Sequence, residues 1–270
     1  MSIKERADVA LVKRGIAESR EKAQAQIMAG LVFAGLRKIQ KPSDNVGEDE
    51  QLSVKGSAHP FVSRGGLKLE KALDAFGADV SGAVALDIGA ATGGFTDVLL
   101  QRGASHVYAI DVGYGQLDWE LRNHPRVTVM ERTNARYLKP EQFDKKPNLT
   151  VMDVSFISIR LILPVAAGIM GETGRFYTLI KPQFEAGKDR VGKKGVVRDP
   201  AVHQAVIEEI VSFAPSCGLR VQDLTYSPIT GPEGNIEFLA HITSGQGNIR
   251  EISIENIKKT IEEAHLALKK

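Results

Sequence analysis

The sequence lacks the features that mark secreted and membrane proteins. Its single cysteine, Cys217, cannot form an internal disulfide, which indicates a reducing compartment and favours a small buried thiol over a nucleophile. Residues 1–6 lack the apolar core of a signal peptide. The longest apolar stretch, 161–171, contains Pro164 and is far shorter than the ~20 residues that a bilayer-spanning helix needs. We therefore expect a cytoplasmic protein with no membrane partner and no metal site.

Length and composition are those of a globular protein. The 270 residues are 43% apolar and 25% charged, enough for one ordinary domain and a small one. A net charge of +2 does not by itself indicate a partner, but the charge is unevenly distributed. Residues 1–42 contain nine lysines and arginines against four acids, so the basic residues are concentrated in the first part of the chain.

A glycine-rich turn is the most informative motif. The apolar run 83–88, which includes Asp87, predicts a buried parallel strand, and a helix is expected from Thr96. Three glycines, Gly89, Gly93 and Gly94, stand between them. A strand, a glycine turn and a helix present backbone N–H groups to a ligand at the carboxyl edge of a doubly wound sheet. Asp111 ends the next predicted strand, where such folds place an acid on a ribose hydroxyl.

The spacing of these glycines narrows the class of ligand. The pattern is G-x-x-x-G-G, and Ala91 occupies a position where a dinucleotide pyrophosphate needs bare backbone. An adenosine ligand with an amino-acid tail has no such requirement. The pattern therefore favours a nucleoside cofactor over a dinucleotide, although similar turns also end ordinary strands that bind nothing.

The first 55 residues predict a compact module of two helices and a few short strands. Gly15 ends the first helix, Ser19 caps the second, and Gly30 ends the second. Short strands are expected at 32–33 and 52–54. Ser19-Arg-Glu-Lys-Ala and Gly30-Leu-Val-Phe-Ala-Gly resemble the S4 RNA-binding domain, with Ala34 where many members have Asn. The resemblance implies RNA contacts from the basic residues Arg6, Lys13, Arg14, Arg20 and Lys22; the alternative is a solvated charged face.

The remainder of the chain alternates strands with helices. Strands are predicted at 83–88, 107–112, 127–130, 149–154, 176–181, 219–226 and 235–242. Such alternation predicts an α/β fold, a parallel sheet with helices on both faces. The last two strands follow one another through a loop, so we expect them to pair antiparallel. Residues 249–270 predict a charged amphipathic helix.

The larger domain resembles the FtsJ-type ribose 2′-O-methyltransferases. The resemblance lies in Leu86-Asp-Ile-Gly-Ala-Ala-Thr-Gly-Gly-Phe, with Thr92 where the usual motif has Pro. That family has a Lys-Asp-Lys-Glu tetrad, which corresponds here to Lys68, Asp153, Lys181 and Glu237. A lysine can assist removal of the 2′-OH proton when neighbouring positive charge and burial lower its pKa. The resemblance assigns that role to Lys181, the second positive charge to Lys68, and orientation of the lysines to the two acids.

The same resemblance implies S-adenosyl-L-methionine as the cofactor. Its expected binding residues are those of the glycine turn and nearby strand ends: Asp87, Gly89, Ala90, Thr92, Gly93, Gly94, Phe95, Asp111, Asn134 and Asp153. Asn134 stands where an Asp is commoner. The glycine-containing loop 185–199 follows the catalytic strand and is basic. A surface loop of this kind can grip phosphates, so RNA contacts are expected from Lys188, Arg190, Lys193 and Lys194, with Arg64 beside the site.

The combination of an S4 domain with this methyltransferase is similar to the TlyA family, through residue 243. The resemblance implies methyl transfer to the ribose 2′-OH of cytidine in 16S or 23S ribosomal RNA, or both, with ribosomal subunits as partners. It predicts a seven-stranded Rossmann-like methyltransferase sheet with a small N-terminal α+β domain. The expected limits are 1–58 for the S4 domain, 59–66 for a linker, 67–244 for the methyltransferase domain and 245–270 for a helical tail.

Three other functions remain open from the sequence. The TlyA family has also been called hemolysins, but no span or lipid-facing strand pattern supports a pore-forming protein. A catalytically silent RNA-binding protein would not need the complete tetrad. A base-amine methyltransferase would often have Pro-Pro-aromatic after the fourth-strand acid, where this chain has Val154-Ser-Phe.

Overall fold

The computed structural model describes residues 4–28, 30–54, 60–245 and 252–268. The chain divides into two compact units, residues 1–60 and 61–270. The boundary predicted at residue 58 falls within 55–59, outside the described residues, and the predicted domain limits stay predictions. Among the described helices, none is long and apolar enough to cross a membrane.

The N-terminal unit packs two helices against short strands. Its elements are β1 (Lys4–Arg6), α1 (Ala7–Lys13), α2 (Arg20–Met28), β2 (Val32–Ala34), β3 (Arg37–Lys38), β4 (Asn45–Gly47) and β5 (Leu52–Val54). Strand β1 pairs antiparallel with β4, and β2 lies between β3 and β5. Helix α1 buries Leu11 and α2 buries Ile27, whereas Met28, the last residue of α2, is exposed. Gly15 and Gly30 have left-handed φ angles of +68° and +73°, as expected after helix ends.

The larger unit is built around a seven-stranded sheet. Its elements are α3 (Gly66–Ala75), β6 (Val84–Ile88), α4 (Gly94–Gln101), β7 (His106–Ile110), α5 (Trp119–Arg122), β8 (Val127–Met130), β9 (Leu149–Met152), α6 (Leu163–Met170), β10 (Arg175–Ile180), α7 (Pro182–Glu185), α8 (Pro200–Phe213), β11 (Leu219–Tyr226), β12 (Phe238–Ser244) and α9 (Ile254–Leu268). The strand order is β11-β12-β10-β9-β6-β7-β8, with β12 antiparallel to both neighbours. The predicted sheet and the antiparallel last pair are confirmed.

Apolar side chains cover both faces of this sheet. Successive residues of a strand point to opposite faces, so Ala85 and Leu86 of β6 belong to different core clusters, as do Leu179 and Ile180 of β10. Helices α3 and α4 cover one face, and α6, α8 and α9 cover the other. Because both faces are buried, the central strands have nearly continuous apolar sequences, and their carboxyl ends carry the polar residues.

The predicted limits of the last strand and the last helix differ from those in the structure. The last strand was expected at 235–242, but β12 begins at Phe238. The side chain of Asn235 accepts a hydrogen bond from Val197 N–H at 2.9 Å and donates to the Gly195 carbonyl at 2.9 Å, which joins this part of the chain to a loop instead of the sheet. The predicted helix 249–270 corresponds to α9, and its residues 249–251 and 269–270 lie outside the described residues.

Candidate active site

The glycine turn joins β6 to α4 and lies against the end of β9. Gly89 has a φ of +85°, and a Cβ there would lie 2.6 Å from the backbone oxygen of Asp153. Any side chain would therefore collide with backbone that cannot move away. Ala91, with a φ of +46°, takes a left-handed conformation that is uncommon for a residue other than glycine. Helix α4 begins at Gly94, two residues before the predicted start.

Asp111 holds this turn in place. Its Oδ2 accepts a hydrogen bond from Ala91 N–H at 2.9 Å, and its Oδ1 accepts one from Gly113 N–H at 2.7 Å. Hydrogen bonds that backbone N–H groups donate to a charged carboxylate are among the stronger ones in proteins. They help to offset the unfavourable conformation of Ala91. Asp111, the residue predicted to bind the ribose hydroxyls, therefore also stabilises the turn.

Two adjoining cavities border the glycine turn. One of about 340 Å³ is lined by Gly89, Ala91, Asp111 and Asn134, among others. The other, about 380 Å³, contains most of the remaining predicted residues: Lys68, Gly89, Ala90, Thr92, Gly94, Phe95, Asp153, Lys181 and Glu237, together with Arg64. Both are bordered by Gly89, Ala91, Asp153 and Ser155. The structure therefore brings the predicted cofactor residues and the predicted tetrad to one edge of the sheet.

Two of the residues predicted to bind the cofactor, Gly93 and Asp87, stabilise the glycine turn through contacts with other side chains. Gly93 packs so closely that a Cβ would meet the side chains of Leu117 and Leu121. Asp87 is fully buried in β6, where Thr96 Oγ1 donates to its Oδ2 at 2.6 Å. Its Oδ1 has no hydrogen-bond partner among the described residues. Burial raises the pKa of Asp87 to about 7, against the opposing effect of the Thr96 hydrogen bond.

The tetrad forms a chain of alternating charges. Lys68 Nζ donates to Glu237 Oε2 at 2.7 Å and to Asp153 Oδ2 at 3.3 Å. The other oxygen of Asp153 is in direct contact with Lys181 Nζ, which also donates to Ser155 Oγ at 3.1 Å. The exposed fractions are 8% for Lys68, 7% for Lys181 and 1% for Glu237, so these charges are screened mainly by one another.

The arrangement fixes the charges of its central members. Burial by itself lowers the pKa of Lys68, but the carboxylates of Asp153 and Glu237 outweigh it and raise that pKa. Burial likewise opposes ionisation of Asp153, yet Lys68 and Lys181 lower its pKa overall. Lys68 is therefore held as a cation and Asp153 as an anion.

The four side chains lie on one helix and beside the ends of three strands. Lys68 lies in α3, before the first strand of the sheet as predicted. Asp153 and Lys181 each follow directly after a strand, β9 and β10, instead of forming its last residue. Glu237 was predicted to lie within the last strand, but it precedes β12 by one residue. The differences are one residue each and leave the four side chains in contact.

Four neighbouring residues were missed by the sequence reasoning: Ser155, Phe156, Gln183 and Phe184. Gln183 Nε2 donates to Glu237 Oε1 at 3.3 Å. Phe156 is 91% exposed, has a left-handed φ of +63°, and its ring centre lies 5.1 Å from that of Phe184. A usable signal was present, because a phenylalanine stands three residues after each of the two strand-end charges, Asp153 and Lys181.

The basic residues predicted around the site differ in their surroundings. Arg64 lines the second cavity and donates to the Thr230 carbonyl at 3.3 Å. Arg190 is exposed but bound to its own unit, since it donates to the Ala186 carbonyl at 2.6 Å and to Glu209 at 2.8 Å. The lysines of the same loop, Lys188, Lys193 and Lys194, are exposed.

The basic residues of the N-terminal unit also divide into groups. Arg14 donates to the backbone carbonyls of Glu50 at 2.6 Å and Gly47 at 2.9 Å. Lys13 pairs with Glu5 and Lys22 with Glu18. Arg6 and Arg20 share one partner, Asp8. Arg14 therefore stabilises the β4–β5 turn, a role that its sequence position did not indicate.

Known families match both units. The FtsJ-like methyltransferase family matches residues 61–244, and the S4 domain matches residues 5–52. Among the described residues, no group of three histidine, cysteine or acidic side chains could hold a metal ion.

Similar proteins are found along almost the whole chain. The chain is 51% identical to "Putative rRNA methyltransferase YqxC" of Bacillus subtilis, over 99% of this chain and 96% of that protein. It is 46% identical to "16S/23S rRNA (cytidine-2′-O)-methyltransferase TlyA" of Mycobacterium tuberculosis, over 88% and 89%. A solved structure, "Putative hemolysin from Streptococcus thermophilus", is 44% identical, with a TM-score of 0.80 over 100% of this chain and 98% of that one. The chain therefore belongs to the TlyA family of FtsJ-like methyltransferases, enzymes in which an S4 domain precedes the methyltransferase domain.

Proposed function

We propose that this enzyme transfers a methyl group from S-adenosylmethionine to the ribose 2′-OH of a cytidine in 16S or 23S ribosomal RNA, or both. The observation that carries the proposal is the buried alternation of Lys181, Asp153, Lys68 and Glu237 beside the glycine turn. The names of the relatives support ribosomal RNA as the substrate.

The cavities beside the turn fit S-adenosylmethionine. Gly89 leaves bare backbone where a side chain would collide, and the adjoining cavities together suit an elongated nucleoside with an amino-acid tail. Each carboxylate oxygen of Asp111 accepts one backbone hydrogen bond and keeps further acceptor capacity for ribose hydroxyls. Asn134 would lie beside the adenine. The bound cofactor would supply an electrophilic methyl group.

The tetrad is suited to handling the proton of the ribose hydroxyl. A 2′-OH is a poor nucleophile until its proton leaves, so the site needs a group that receives the proton and others that hold the oxygen. We assign the first role to Lys181, which contacts Asp153 and Ser155 at the cavity wall and would first release its own ammonium proton to solvent, so that the neutral amine can accept the hydroxyl proton. Lys68, kept cationic by its two carboxylates, would stabilise negative charge developing on the oxygen. Asp153 and Glu237 would orient the lysines.

The surface next to the tetrad is suited to a nucleotide. The exposed ring of Phe156 packs against the half-buried ring of Phe184, whose centre lies 5.8 Å from Lys181 Nζ. Unstacked bases of single-stranded RNA stack on such rings. The two rings and Lys188 border one recess of about 480 Å³. Lys188 could bind a neighbouring phosphate there.

The proposal is tested with purified protein, S-adenosylmethionine and ribosomal RNA, by mapping 2′-O-methylated positions. Lys181→Ala should abolish transfer while cofactor affinity, measured by calorimetry, stays within a few-fold of the wild type. Lys181→Arg should also be inactive, because a guanidinium stays protonated and cannot accept the hydroxyl proton. Lys139→Arg, at an exposed position, is the matched control.

Two outcomes would contradict the proposal. Near-normal turnover by Lys181→Arg would exclude this lysine as the proton acceptor. Lysis of red cells by the purified protein, unchanged in Lys181→Ala and without cofactor, together with no RNA methylation, would instead favour a cytolysin.

A further inference from the structure

We infer that Asp8 is a positioning residue that fixes Arg6 and Arg20 as a two-arginine site for the phosphates of structured RNA. The inference rests on the proposed RNA-methylating function and concerns the N-terminal unit alone. It starts from a buried carboxylate that binds two surface arginines at once.

The carboxylate of Asp8 is surrounded by hydrogen-bond donors. The carboxylate is fully buried. Arg6 donates to it from Nε and from a terminal nitrogen, both at 3.0 Å. Arg20 Nε and Gln24 Nε2 each donate to Oδ2 at 2.9 Å. Two oxygens thus accept four hydrogen bonds, which is close to the capacity of a carboxylate.

The two arginines are nevertheless available at the surface. Their side chains are 46% exposed for Arg6 and 54% for Arg20. Hydrogen bonds from Arg6, opposed by burial, lower the pKa of Asp8, so the carboxylate stays charged. One negative and two positive charges leave the cluster with a net positive charge.

This arrangement separates the pair from the other N-terminal residues that were predicted to contact RNA. Lys13 and Lys22 each face one acid of their own, and Arg14 is bound to backbone carbonyls. Arg6 directly precedes α1, and Arg20 is the first residue of α2. Asp8 therefore binds guanidinium groups from two separate parts of the chain and holds them close together. A guanidinium already held in place loses less side-chain freedom on binding a phosphate than a free one does.

The substitution Asp8→Asn distinguishes positioning from simple charge. Removing a negative charge makes the surface more positive, so charge alone predicts tighter RNA binding. Loss of positioning predicts weaker binding, by about tenfold, which is the order of one charge-assisted hydrogen bond. The salt dependence of binding should also fall, by about one unit of slope for each phosphate that an arginine no longer neutralises.

The measurement is filter binding of the full-length protein to transcribed 16S and 23S ribosomal RNA over a series of KCl concentrations. Glu18→Gln is the matched control, because it also removes one carboxylate from the same unit but from an exposed position paired with Lys22. It should bind as tightly as the wild type or more tightly. Tighter binding by Asp8→Asn, as for this control, would overturn the inference.

A second pair of variants keeps the test decisive if Asp8→Asn fails to fold. Arg6→Lys and Arg20→Lys retain the charge but not the planar fork, and each should lose RNA affinity by a similar factor. Wild-type affinity in both would overturn the inference. Failure of the proposed function is distinguishable, because it would appear as absent methylation by a wild-type protein that binds RNA.

Discussion

Replacing Asp87 by Asn should stabilise the protein at high pH and have little effect at low pH. The carboxylate is fully buried in β6, accepts one hydrogen bond from Thr96, and has an oxygen without a partner among the described residues. Such a group resists ionisation, because the single hydrogen bond from Thr96 does not replace the hydration that the charged form loses. Asn keeps nearly the same shape and carries no charge.

The expected size follows from the pKa. Burial raises the pKa of Asp87 to about 7 from an ordinary value of 3.8. Between these values the folded protein keeps a proton that the unfolded chain has released, so the free energy of unfolding falls as pH rises from about 4 to 7. The full difference corresponds to at most about 4 kcal/mol at pH 8.

Urea unfolding at pH 5 and pH 8 measures this effect. The stability difference between Asp87→Asn and the wild type should grow by up to about 3 kcal/mol from the lower pH to the higher, because the two conditions span most of the titration. Asp189→Asn, at an exposed position of the same unit, is the control and should show no such growth, because its carboxylate stays in water and loses no hydration on folding. Equal pH dependence in wild type and Asp87→Asn would refute the reasoning. Cofactor affinity, measured in parallel, should fall if the charge of Asp87 is needed for binding.

Three further substitutions test roles that the structure assigns. Asp111→Ala should weaken cofactor binding in calorimetry and also cost about 1–3 kcal/mol of unfolding free energy, because Ala91 and Gly113 lose their acceptor; unchanged affinity would remove Asp111 from the cofactor site. Arg14→Ala should lower the stability of the N-terminal unit against urea, since two backbone carbonyls lose a donor, whereas Lys13→Ala should not. Phe156→Gly should raise stability by about 1 kcal/mol by relieving a left-handed conformation, yet lower kcat/KM for RNA; undiminished kcat/KM would separate this ring from the substrate.

The sheet was predictable because the sequence encodes it locally, whereas the tetrad was assigned through the family resemblance, with local support only from the charges at strand ends. Buried parallel strands read as apolar runs, and a charge at the end of such a run has to meet the charges at the ends of neighbouring strands. Asp153 and Lys181 illustrate this, since their strands β9 and β10 are adjacent and parallel. Lys68 was found through the family resemblance, because a lysine within an amphipathic helix gives no such signal.

The direction of individual polar groups was not predictable. Arg14 and Arg190 were grouped with RNA-binding residues, but both donate to carbonyl groups of their own unit. The sequence shows that an arginine is charged. Which acceptor it contacts depends on how distant loops are placed in the folded protein. Asp111 supports the turn through backbone N–H groups, which are present at nearly every residue and so leave no mark in a sequence.

The close contact at Gly89 determines where the enzyme could be altered to transfer groups larger than methyl. Cofactor analogues with longer alkyl chains need extra space near the reacting carbon. That space cannot be gained at Gly89, because the backbone there lies close to the carbonyl of Asp153. Moving either residue would disturb the tetrad. The exposed rim, formed by Phe156 and Pro232, carries no such constraint. Redesign for alkyl transfer should therefore enlarge the site from the rim inward and leave the glycine turn intact.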